Sequence, residues 1–69
     1  MKKTLLIDGM MCMRCVAHVK KALEKIDGVV LAEVSLENNN AIVTCDKEIS
    51  DDTFKTVIEE EDYIFKGIA

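Results

Sequence analysis

Cys12 and Cys15 stand three positions apart in Asp8-Gly9-Met10-Met11-Cys12-Met13-Arg14-Cys15, where an apolar run gives way to a turn and then to a helical pattern. Two sulfurs at this spacing can share a soft metal ion or cycle through a disulfide. The first turn of a helix carries partial positive charge and unpaired N–H groups. Both favour thiolate over thiol and so lower a cysteine pKa below its free value.

Two thiolates with little else around them suit Cu(I), which accepts few, soft ligands, whereas a structural zinc site wants four ligands in a tetrahedron. The chain holds three cysteines and one histidine. A closed Zn2+ site would therefore have to recruit Cys45 from the end of a strand and His18 from a turn along the helix, and such a site is not expected. Gly9 allows a sharp turn, and Asp8 and Arg14 flank the pair with charge, so these residues are expected on an exposed loop.

Other residues near the pair have narrower readings. Arg14 is the nearest cation in sequence and would offset the negative charge of a bis-thiolate centre, or else point into solvent. Met11 and Met13 suit an adaptable apolar contact surface for a docking partner better than ligation. His18 is expected to be a surface residue, and Cys45, alternating with Val43, a core-facing or edge residue of its strand.

The elements that must position the pair can be read from periodicity. Thr4-Leu5-Leu6-Ile7-Asp8 is a strand with Leu5 and Ile7 on one face and Leu6 on the other. From Cys15, the positions Val16, Val19, Leu23 and Ile26 recur at helical spacing, with Lys20, Lys21, Glu24 and Lys25 opposite, and Gly28 reads as the C′ residue. Val29 to Leu36, with Val30, Ala32 and Val34 on one side, turns through Glu37-Asn38-Asn39-Asn40 into Ala41-Ile42-Val43-Thr44-Cys45 as a hairpin. Ser50 caps a second helix with Asp51 and Asp52 in its first turn, Ile49 stapling onto Phe54, and Val57 and Ile58 continuing the stripe. Tyr63 to Ile68 is a last strand.

The order is βαββαβ. Two singly amphipathic helices and a small four-stranded antiparallel sheet are best satisfied with both helices on one face, an α+β ferredoxin-like sandwich. At 69 residues, with no Pro and no repeat, residues 1–69 read as one domain.

Composition removes several function classes. The net charge of -4 disfavours a nucleic-acid partner. The apolar runs Leu5-Leu6-Ile7 and Val29-Val30-Leu31-Ala32 fall far short of the roughly 20 residues that span a bilayer, so no direct membrane insertion is expected. The basic start Met1-Lys2-Lys3 leads into no signal-peptide core, which points to the cytoplasm, with its thiols reduced. The acidic run Glu59-Glu60-Glu61-Asp62 opposes the second helix's dipole and reads as a solvated face, or as a patch that steers a basic partner.

Gly9-Met10-Met11-Cys12-Met13-Arg14-Cys15 resembles the G-M-x-C-x-x-C motif of the heavy-metal-associated domain family, and the likeness runs along the whole chain. Leu5 and Ile7 match its first-strand core, Gly28-Val29 its helix end, and Tyr63 the aromatic often found near its metal. The resemblance implies a βαββαβ fold in which Cys12 and Cys15 bind a soft ion, usually Cu(I), while Met10 turns inward to anchor the loop. Two positions depart from the family pattern. Asp62 stands where Gly is common, and Arg14 where a small or imidazole residue is frequent.

The expectation is therefore a copper chaperone rather than an enzyme, holding Cu(I) on Cys12 and Cys15 and passing it by ligand exchange to a partner. By the resemblance, that partner is a copper-transporting P-type ATPase or a copper-responsive regulator. Ag(I), Hg(II), Zn(II) and Cd(II) bind the same donor pair. The protein is expected as a monomer, or as a dimer bridged by metal. Because the chain begins at Met1 and ends just after its last strand, a free chaperone is preferred to the metal-binding domain of a P-type ATPase. A thiol-disulfide oxidoreductase is the third reading. The thioredoxin arrangement that it implies needs a larger chain and a cis-Pro facing the sulfurs, and this sequence has no Pro. A metal-free interaction module of the same fold ranks last.

Overall fold

Alternation along the first strand builds the platform. In β1 (Lys2–Asp8), Leu5 and Ile7 are fully buried while Leu6 between them faces outward, as a strand half-covered on one side requires. The computed structural model describes Met1 to Ala69 and continues with α1 (Met13–Glu24), β2 (Val29–Ser35), β3 (Asn40–Cys45), α2 (Asp51–Glu60) and β4 (Ile64–Ile68). The strands form one antiparallel sheet in the order β2-β3-β1-β4. This is the ferredoxin-like α+β sandwich read from the sequence, with both helices on one face.

The core lies between that face and the helices. Val16, Val19 and Leu23 from α1 and Phe54 and Ile58 from α2 pack with Leu5, Ile7, Ala32, Ala41 and Val43 from the sheet. Each large apolar side chain taken out of water here contributes about 1.5–3 kcal/mol before the entropy of ordering is set against it. Cys45 is buried in the same cluster, as its alternation with Val43 suggested. Ser50 is the N-cap of α2, and its hydroxyl lies 3.0 Å from that of Thr53 rather than on a backbone N–H. Ile49 and Phe54 are both buried, consistent with the expected staple.

Three sequence readings need correction. α1 ends at Glu24 with Lys25 as its C-cap, so Gly28 is not its C′ residue. The chain tightens first, with the N–H of Lys25 donating to the carbonyl of Ala22 and that of Ile26 to Leu23, and these shorter-range bonds close the helix early. Gly28 instead turns the chain into β2 at φ +103°.

Val30 is 61% exposed and does not share a face with Ala32 and Val34. The pairing of β2 with β3 is irregular between Val29 and Leu31, so Val29 rather than Val30 takes the inward place. The last strand begins at Ile64, which leaves Tyr63 in the loop.

Both chain ends are tied to the sheet. The Met1 ammonium donates to the Cys45 carbonyl at 3.1 Å, and the Cys45 N–H returns a bond of 2.7 Å to the Met1 carbonyl. The Ala69 N–H donates to the Thr4 carbonyl at 2.9 Å.

Candidate metal centre

The loop after β1 is shaped by one glycine and one methionine. Gly9 takes φ +96°, a left-handed conformation that other residues rarely adopt, and its N–H is held by the Asp8 carboxylate at 3.0 Å. Met10 then turns inward and is buried with the core. Its thioether is thereby packed away beneath the loop. Met11 and Met13 go the other way, 86% and 69% exposed, and flank the site with flexible apolar surface.

Cys12 is the N-cap of α1, and Cys15 lies in the first turn. Their sulfurs are 3.8 Å apart, Cys12 exposed and Cys15 half-buried. With thiolate–metal bonds of about 2.3 Å, two sulfurs at this distance can hold one ion at an angle of roughly 110°, which leaves its outer side open. The donor set thus fits a soft ion reached from solvent.

Cys15 is prepared for ionisation. Its pKa is lowered from 9.0 to about 7, chiefly by the Tyr63 side chain and then by the backbone of Met11, with the Cys12 backbone and thiol adding less. Tyr63 moves the opposite way, from 10.0 to about 12, chiefly through its interaction with the Cys15 side chain, which favours the protonated phenol, and through partial burial, which disfavours the phenolate. Cys12 and Glu61 add negative charge that pushes it further up. The end of α2 therefore lies beside the thiol loop.

The remaining candidates are not drawn into the site. His18 lies in the groove between α1 and α2 with Lys21, Lys25, Glu60 and Glu61. Cys45 is buried where β3 ends, bonded to Met1 at the other end of β1 from the loop. No set of three or more His, Cys, Asp or Glu side chains is placed to hold an ion together. Arg14 is exposed and forms no ion pair.

Two contacts had no clear mark in the sequence. Lys3 emerges from the helix-facing side of β1 and donates to the Ile49 carbonyl at 3.0 Å, fastening the start of α2. Lys20 and Glu24, which read as solvated helix face, reach the backbone of β2 instead. Their i,i+4 spacing was visible, but the target was not.

Fold and site together define a small α+β sandwich that presents a dithiol at the tip between its first strand and first helix. The model of the heavy-metal-associated domain family matches residues 4–63. The chain is 45% identical over 60 residues to a mercuric reductase of Shewanella putrefaciens, covering 87% of this chain but 11% of that protein. It is 40% identical over 58 residues to the copper chaperone CopZ of Staphylococcus aureus (strain bovine RF122 / ET3-1), covering 83% of this chain and 85% of that one. A solved copper binding domain from HMA7, a P-type ATPase, superposes with a TM-score of 0.89 at 30% identity, covering 99% of this chain and 92% of that one. The chain belongs to the heavy-metal-associated domain family.

Proposed function

We propose that the chain binds Cu(I) through the Cys12 and Cys15 thiolates and hands it to a partner protein by ligand exchange. The observation that carries this reading is the pair of sulfurs 3.8 Å apart on an exposed helix N-terminus. No third side chain closes around that pair, and the likeness to CopZ agrees with it. A partner thiolate attacks the ion from its open side and gives a three-coordinate intermediate. Cys12 and Cys15 then depart in turn as a second partner thiolate arrives, each taking up a proton that a partner thiol has given up. Copper stays Cu(I) throughout, so no reductant is needed. The role is binding and delivery rather than catalysis.

The partner in this reading is a copper-transporting P-type ATPase or a copper-responsive regulator, and the setting is the cytoplasm. No helix is long and apolar enough to cross a membrane. Residues 1–69 act as one domain. The same chemistry serves a metal-binding segment of a larger protein, a reading favoured by the match to a small part of a mercuric reductase. Such a setting would bring Hg(II) to the same two sulfurs.

An anaerobic competition titration with Cu(I) and Zn2+ tests the proposal, using the native chain and a Cys12→Ser, Cys15→Ser double variant. Tight Cu(I) binding by the native chain alone, with Zn2+ held more weakly, is expected. Equal Cu(I) binding by both proteins would sink the assignment.

A further inference from the structure

Ala32 occupies the middle of β2, and the order β2-β3-β1-β4 leaves β2 at an edge of the sheet. Its methyl group is fully buried beneath α1, while its N–H and C=O find partners outside the sheet. The N–H donates to Glu24 Oε2 at 3.1 Å, and the carbonyl accepts from Lys20 Nζ at 3.1 Å. Lys20 and Glu24 are joined to each other at 2.6 Å. One acceptor and one donor are thereby offered to a single residue, which is what the facing residue of an added antiparallel strand would offer.

We propose that the Lys20–Glu24 pair acts as a surrogate strand that closes the β2 edge against pairing with β2 of a second copy. An unguarded edge strand is a template for another strand, and β2 is seven residues long with Val30 and Leu31 exposed, 61% and 42%. A second copy is the natural occupant because it carries the same strand. Two such edges meet antiparallel across a two-fold axis, each supplying what the other lacks. β2 itself sets against this only Glu33 and the irregular pairing between Val29 and Leu31, so at Ala32 the guard is supplied by α1.

The test compares the native chain with a Lys20→Ala, Glu24→Ala double variant, a Glu24→Gln variant that keeps an acceptor, and Lys21→Ala. Lys21 lies on the same helix and makes no hydrogen bond, so its loss removes charge alone. Amide exchange is followed residue by residue, and association by sedimentation equilibrium with reductant and chelator present, which excludes disulfide- or metal-bridged pairs. At a concentration that keeps the double variant monomeric, its Ala32 amide should exchange about tenfold faster, and at higher concentration a reversible dimer should form where the native chain is monomeric. Glu24→Gln, folded by circular dichroism, should show a smaller rise at Ala32; that variant carries the exchange test if the double variant does not fold. An unchanged Ala32 rate in a folded, monomeric variant overturns the proposal, as does a folded double variant no more associated than the native chain at high concentration. Equal dimerisation by Lys21→Ala also overturns it, since lost charge would then suffice.

Discussion

The Tyr63 hydroxyl and the Cys15 thiol move each other's acidity in opposite directions, the thiol down to about 7 and the phenol up to about 12. A neutral phenol that donates to sulfur stabilises thiolate, and the thiolate in turn opposes loss of the phenol's proton. Tyr63→Phe should therefore raise the Cys15 pKa toward 9.0 while leaving the backbone contribution in place. Iodoacetamide alkylation of the metal-free protein against pH reads this directly. An unshifted Cys15 midpoint would remove Tyr63 from the site chemistry.

The same shift sets a pH dependence of folding. Because the thiol is more acidic in the folded chain than at its ordinary 9.0, its contribution to stability is full above about pH 9. It is lost as pH falls through about 7, below which both states keep the proton. The urea midpoint of the reduced, metal-free protein should rise from pH 6.5 to 9, and Tyr63→Phe should flatten the rise.

Asp62 adopts φ +69° in the turn after α2, in the left-handed region where a side chain costs energy and glycine does not. Asp62→Gly should stabilise the fold by roughly 0.5–1 kcal/mol in urea unfolding, less what the more flexible unfolded chain takes back. A clear loss of stability would show that the Asp62 carboxylate holds the turn by a contact of its own.

Gly28 and Gly67 separate backbone strain from crowding. Both have positive φ, +103° and +130°, but a methyl at Gly28 would lie 2.8 Å from Lys47 Cγ and 3.1 Å from Ile49 Cδ1, whereas one at Gly67 meets nothing within 4 Å. Gly28→Ala and Gly67→Ala should both destabilise, and Gly28→Ala should cost more, by about 1 kcal/mol. Equal losses would mean that Lys47 swings aside freely.

Lys3 combines a 3.0 Å bond to the Ile49 carbonyl with looser approaches to Asp51 at 3.5 Å and Glu48 at 3.9 Å, and its side chain is 23% exposed. Exposed ion pairs contribute little and are screened by salt, while a bond from a charged donor to a partly shielded carbonyl survives screening. Lys3→Met should cost about 1 kcal/mol, nearly the same in 1 M salt as in dilute buffer. A loss that vanishes in salt would assign the effect to Glu48 and Asp51 instead.

Element types and order were legible because periodicity is local: Leu5 and Ile7 alternate, and Val16, Val19 and Leu23 recur at helical spacing. The thiol pair was legible for the same reason, since its spacing and its turn residue are neighbours in sequence. What escaped depends on partners far along the chain. Val30 faces outward because of how β2 pairs with β3, and Lys20 and Glu24 are occupied by a strand edge that helix periodicity cannot reveal. The early end of α1 also escaped, because Ile26 continues the apolar stripe although the backbone has already tightened.

The ties at the two chain ends bear on how such a unit can be strung together with others. Met1 is fastened to Cys45, and Ala69 to Thr4, both toward the start of β1, whereas Cys12 and Cys15 lie beyond its far end. A seven-residue strand spans about 23 Å, so entry and exit share one pole while the sulfurs occupy the other. A tether attached at either end would hold the unit like a bulb in its socket, with the dithiol pointing away from whatever carries it.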